Sequence, residues 1–186
     1  MPQSTNLTDR KMLALTRASL LSLRSALLRD SGQQAAVYLQ EAGYAGGDAL
    51  FATFRAWLSE RTDIAAEDLD VEAFEQRISE FFSESGWGRI EIGTIDDVVA
   101  TLDSADWGES EAGSGMQHPA CHITTGMFAD LFGRLAGAPV AVLEVKCRSA
   151  GDPRCRFLIG NPGVMDAVYE EIGRGATYEA AVHAAE

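Results

Sequence analysis

The chain has 186 residues, of which 46% are hydrophobic and 23% are charged, a composition typical of a globular protein with a sizeable core. Its formal net charge of −13 disfavours nucleic acids and anionic membrane surfaces as partners, because both are bound through clusters of Lys and Arg. No apolar run approaches the ~20 residues of a membrane-spanning helix, and the N-terminus shows no secretory signal. Three cysteines without a signal indicate a reducing, cytoplasmic location.

The first half of the sequence predicts four helices. Leucines recur at helical spacing after Thr8, which is expected to cap the first helix. Glycines at positions 43, 46 and 47 separate the second helix from the third, and an acidic segment opens the fourth. The predicted helices cover residues 8–29, 32–43, 47–60 and 70–85.

After Gly86 the hydrophobic pattern changes from helical to alternating, which indicates strands. A further helix is predicted between two strand pairs, and Pro162 begins a last helix at a position where proline is tolerated. This order of elements predicts an α+β fold, and we expect residues 1–186 to form a single domain. The predicted strands cover residues 89–95, 97–104, 140–147 and 154–159, and the intervening helix covers residues 121–135.

All three cysteines lie within one 35-residue segment, close to a glutamate. Cys147 and Cys155 flank a predicted hairpin turn, and Cys121 begins the helix expected to face it. Together with Glu144 they could form a tetrahedral site for an ion such as zinc. A regular strand would place Glu144 and Cys147 on opposite faces, so both can be ligands only where the strand twists, bulges or ends near Lys146.

Two alternatives remain open for this segment. The three cysteines could be buried free thiols, since free cysteine often behaves as a small core residue, with Glu144 on the surface. His118 and His122 compete with Glu144 as the fourth ligand, because imidazole commonly accompanies thiolates at zinc.

Four pieces of sequence carry a family resemblance. They are Cys121, Gly-Met-Phe-Ala-Asp-Leu-Phe-Gly at residues 126–133, Val-Leu-Glu-Val-Lys-Cys at residues 142–147, and Gly-Asp-Pro-Arg-Cys-Arg-Phe at residues 151–157. In this order they resemble the core of the 4-vinyl-reductase type of small-molecule-binding domain, over residues 121–160. The same fold occurs in the sensor domains of aromatic-responsive transcriptional activators and in small subunits of the TRAPP tethering complex.

The resemblance implies a helical N-terminal half packed on a four-stranded antiparallel sheet. In the aromatic-responsive activators zinc is held by three cysteines and a glutamate, at the spacing of Cys121, Glu144, Cys147 and Cys155. Zinc is therefore the implied cofactor, in a closed structural site. The relatives also dimerise through their N-terminal helices, which implies a homodimer.

An apolar ligand pocket is the second expectation, although an ordinary core is the alternative for each residue. Phenol-sensing relatives hold the ligand hydroxyl with a histidine and a tryptophan, for which Trp107 and His118 are the candidates here. Phenol specificity does not follow, since the alignment does not fix those positions. The expected lining residues are Phe74, Ile78, Phe81, Phe82, Trp107, His118, Met127 and Phe128.

The predicted function is that of a zinc-stabilised cytoplasmic binding protein or sensor for a small hydrophobic or aromatic ligand, which passes its signal to another protein. No catalytic triad, phosphate-binding loop or dinucleotide fingerprint is recognisable, so we assign no catalytic residues. The first alternative is an enzyme or accessory factor in (bacterio)chlorophyll vinyl reduction. The second is a scaffold subunit, which a large exposed apolar patch and a solid interior would favour.

Overall fold

A computed structural model describes residues 12–185 of the chain. Two short 3₁₀ turns, at Ala66–Asp68 and Arg148–Ala150, accompany the main elements. In chain order these are α1 (Arg17–Ser31), α2 (Gln34–Ala45), α3 (Gly47–Ser59), α4 (Val71–Glu84), β1 (Glu91–Ile95), β2 (Val99–Ser104), α5 (His122–Ala136), β3 (Ala141–Lys146), β4 (Cys155–Gly160), α6 (Pro162–Gly173) and α7 (Tyr178–Ala184).

The four strands form one antiparallel sheet in the order β1-β2-β4-β3. This arrangement confirms the predicted α+β fold, with the helical N-terminal half packed against a four-stranded antiparallel sheet. Within residues 12–185, no helix has the length and apolar character needed to cross a membrane.

The start of α1 differs from the prediction. The helix begins at Arg17, where Thr16 accepts a hydrogen bond from the backbone N–H of Ser19 at 3.2 Å and so acts as the N-cap. The predicted cap at Thr8 lies outside the described residues. The start of α4 agrees with the sequence, since Asp70 accepts from the N–H of Ala73.

Both faces of the sheet are covered. The larger core cluster joins α3, α4 and α5 to one face and is rich in aromatic rings, whereas a smaller cluster lies under α6 and α7 on the other face. Alternation along β4 explains the division, since Phe157 and Ile159 enter the first cluster and Leu158 enters the second.

Helices α2 and α5 touch backbone to backbone at two glycines. A Cβ atom on Gly43 would overlap the carbonyl oxygen of Ile123, and one on Gly126 would overlap that of Gln40. Only glycine permits this approach, which fixes α5 against α2. The beginning of α5 is therefore held firmly, and Cys121 is its N-cap residue.

Candidate metal centre

The four predicted ligands come together at one end of the aromatic core. Cys121 precedes α5, Glu144 lies on β3, Cys147 follows that strand, and Cys155 begins β4. All four are buried, and their ligand atoms lie within 4.8 Å of one another. Cys121 Sγ is 3.8 Å from Cys147 Sγ and 4.0 Å from Cys155 Sγ.

A bulge in β3 brings Glu144 and Cys147 to the same side. Glu144 pairs with Phe157 and Lys146 pairs with Arg156, so Val145 has no partner of its own in β4. The extra residue reverses the alternation of the following side chains. The condition that the sequence imposed on this pair is thereby met.

The donor set fits zinc. Tetrahedral zinc with Zn–S bonds near 2.3 Å separates its sulfur ligands by about 3.8 Å, and a disulfide would require about 2.05 Å. Glu144 Oε2 accepts the N–H of Cys121 at 2.8 Å, whereas Oε1 is buried without a hydrogen-bond partner among the described residues. A buried carboxylate oxygen in this condition is a natural metal ligand.

The acid–base properties of the cluster also suit a cation. Hydrogen bonding to Cys147 and Cys155 raises the pKa of Cys121 well above its usual value, and hydrogen bonds from the other two thiols lower the pKa of Cys147. Burial raises the pKa of Glu144 to about 9. Four acidic groups this close cannot all be anionic by themselves, but a divalent cation stabilises their ionised forms together.

Asp152 fixes the turn that joins the last two ligands. Its Oδ2 atom accepts the N–H of Cys147 at 2.8 Å, and its own N–H donates to the Cys147 carbonyl at 3.2 Å. Gly151 adopts a φ of 100°, in the left-handed region that favours glycine. The Gly-Asp pair of the motif therefore shapes the hairpin around the site.

Glu109 is a buried carboxylate that the sequence did not single out. It accepts hydrogen bonds from Ile123 N at 3.0 Å, Thr124 N at 2.8 Å and Thr124 Oγ1 at 2.6 Å, all in the first turn of α5. Trp107 Nε1 in turn donates to Thr124 Oγ1 at 2.7 Å. Burial raises the pKa of Glu109. Its loop contains several acidic residues, and only the fold distinguishes the buried one.

Neither histidine competes for the site as described. The groups of potential metal ligands found within residues 12–185 contain only the three cysteines and Glu144. His118 is exposed, and His122 is half-buried.

The remaining predicted ligand-binding residues pack into the core, where rings fill the space between α4, α5 and the sheet. Phe82, Trp107 and Phe128 contact one another with ring centroids 5.3 to 5.5 Å apart. Ile78, Phe81 and Met127 are buried in the same cluster, and Phe74 packs at its edge. Two surface grooves, of about 600 and 280 Å³, are lined by none of the eight predicted residues.

Comparisons with known proteins agree with this site. The 4-vinyl-reductase domain matches residues 109–161, which include all four donors, so the resemblance to that domain is confirmed. An uncharacterized protein of Methanocaldococcus jannaschii is 24% identical over 82 residues, a match that spans only 44% of either chain.

Solved structures share the fold at low sequence identity. The phenol-responsive sensory domain of the transcription activator PoxR, solved with phenol, has a TM-score of 0.57 at 19% identity, covering 80% of this chain and 75% of its own. A vinyl-4-reductase family protein from Methanocaldococcus jannaschii gives 0.53 at 16% identity, covering 83% and 87%. A trafficking protein particle complex subunit 3 from Naegleria fowleri, covalently bound to palmitic acid, gives 0.56 at 14% identity, covering 77% and 91%.

Proposed function

We propose that this protein is a zinc-stabilised binding protein or sensor for a small hydrophobic or aromatic molecule. The observation that carries the proposal is the continuity of the metal centre with the aromatic interior. Cys121, Cys147 and Cys155 belong to the same core cluster as Trp107 and Phe128. A metal held there would fix both the start of α5 and the β3–β4 hairpin, which form walls of that interior.

Zinc would have a structural role in this centre. Three thiolates and a carboxylate complete a tetrahedron and leave no position for a substrate. Binding free energy at such a site contributes directly to folding. The residues around it would hold the helix and hairpin in register, and we assign no chemical step to them.

The interior would favour an apolar ligand over a strongly polar one. The indole N–H of Trp107 is already bonded to Thr124, which in turn donates to Glu109. A ligand would have to shift the closely packed rings of Phe82 and Phe128 on entering. The structural likeness to a sensory domain solved with phenol supports an aromatic ligand, as a matter of fold.

Thermal unfolding with small ligands tests this function. Toluene and phenol should each raise the melting temperature of the zinc-loaded protein, with toluene more effective, and calorimetry should show a negative heat-capacity change on binding. A polar molecule of similar size, such as glycerol, provides the control. If neither aromatic shifts the melting temperature, the binding function is wrong.

A scaffold function is the second candidate, and exposed apolar side chains favour it. Leu13, Leu15 and Leu23 are exposed in or just before α1, as are Tyr38 and Tyr44 on α2. Such residues are typical of a surface that another chain covers. We infer that they mediate a homodimer, and we further propose a single cytoplasmic domain, because one sheet joins both core clusters.

A further inference from the structure

Arg24 is the one buried residue of α1, whose other side chains are exposed or half-buried. Its side chain is only 1% exposed, which is rare for an arginine. The Nε atom donates to the carbonyl oxygen of Ala120 at 2.8 Å, the residue immediately before Cys121. The Nη2 atom is buried and has no hydrogen-bond partner within residues 12–185.

The positive charge of Arg24 faces a concentration of acidic groups. Its Nε atom lies 3.9 Å from Oε1 of Glu109, and both side chains are almost completely buried. The charge of Glu109 is one of the causes that raise the pKa of Cys121, which places the carboxylate within electrostatic reach of the cysteine cluster. Zinc with three thiolates and a carboxylate keeps an excess of two negative charges. A buried anionic centre of this kind needs a nearby cation.

A second arginine attaches the same helix to the same loop. Arg17 Nη2 donates to the carbonyl oxygens of Trp107 and Ser110 at 3.1 and 2.9 Å. Arg17 and Arg24 are seven residues apart, so they lie on one face of α1. Helix α1 is thus attached by two arginines to the segment that leads into Cys121.

We propose that Arg24 compensates the negative charge of the metal centre and thereby couples metal binding to the docking of α1. The inference rests on the proposed zinc centre and goes beyond it, because it assigns a role to a helix that supplies no ligand. Loss of the metal would weaken the attraction that holds Arg24 in its buried position. Because such coupling is reciprocal, loss of the Arg24 charge would weaken metal binding.

Zinc affinity, measured by chelator competition, tests the charge of Arg24. Arg24→Gln keeps a donor for Ala120 but removes the charge, and we expect it to bind zinc about 10–100-fold more weakly, as is typical when a partner beyond the metal ligands is lost. Arg24→Lys keeps the charge and should lose less. Arg29→Met is the control, since Arg29 is exposed on the same helix and pairs only with Asp30 in the described structure. Zinc binding by Arg24→Gln at the wild-type affinity would overturn the proposal.

Hydrogen exchange of the unmodified protein tests the coupling independently of any variant that fails to fold. Zinc removal should accelerate exchange in residues 17–31 more than in residues 162–173, which pack on the opposite face of the sheet. Equal acceleration in both helices, or none, would overturn the coupling. Zinc content is measured first. Protein without zinc refutes the metal centre itself, whereas zinc-loaded protein with uncoupled α1 refutes only the role of Arg24.

Discussion

Glu144 and Cys147 lie on the same side of the sheet although they are three residues apart, because Val145 forms a bulge opposite β4. The backbone N–H of Cys121 holds Glu144 by one carboxylate oxygen and leaves the other without a partner in the described chain. The irregular strand end and the half-satisfied carboxylate are both explained by a metal ion.

Removal of the Glu144 charge should weaken zinc binding. In Glu144→Gln the bond from Cys121 can persist, but the anionic ligand is lost, so we expect zinc affinity to fall by at least about tenfold in chelator competition. Glu91→Gln is the control, because Glu91 is exposed on the same sheet. The result that contradicts this ligand is a normal affinity in Glu144→Gln together with a reduced one in His118→Ala.

Loss of one thiolate should destabilise the whole fold. Cys155→Ser removes a ligand that belongs to the main core cluster. We expect unfolding free energy to fall by about 3 kcal/mol or more, which corresponds to about 6–12 °C in melting temperature for a chain of this size. Zinc chelation of the wild type should have a comparable effect and should leave the melting temperature of Cys155→Ser unchanged. A chelator that lowers both proteins equally would argue against Cys155 as a ligand.

Much of this architecture could be predicted from sequence, since amphipathic periods and turn residues act locally. The four helices before Gly86 and the four strands after it follow from such patterns. The start of α1 could not be placed, because its leucines are mostly exposed or half-buried and provide little sign of a core-facing stripe.

The candidate site was only partly accessible to the same reasoning. Cysteine spacing and the resemblance to the 4-vinyl-reductase domain pointed to the four donors. Arg24 and Glu109 lie 85 residues apart in the chain, and only tertiary packing brings them beside Cys121. The bulge at Val145 depends on the register with β4, which a strand pattern alone does not determine.

The contact between α2 and α5 should not tolerate a larger residue. Gly126→Ala introduces a methyl group where the backbone of Gln40 lies, and we expect a loss of about 1–3 kcal/mol or more in urea unfolding. Gly173→Ala is the matched control, because nothing lies within 4 Å of a Cβ atom there. Equal stability of the two variants would show that α2 and α5 can separate without cost.

The exposed face of α1 should determine association. Leu23 is 56% exposed, and Leu23→Glu should convert a homodimer to a monomer, because a buried charge in an apolar interface is costly. Light scattering should give twice the 20.0 kDa chain mass for the wild type and a single chain mass for the variant. Tyr169→Glu, at an exposed position on α6, should leave the mass unchanged. A wild-type mass near 20.0 kDa would contradict the dimer.

The central claim is that Cys121, Glu144, Cys147 and Cys155 hold a structural zinc ion. Elemental analysis of untagged protein, combined with native mass spectrometry, measures this most directly. The predicted result is about one zinc per chain, with all three thiols protected from alkylation until a chelator is added. Protein that contains no zinc, with all three thiols freely titratable in the folded state, would contradict it.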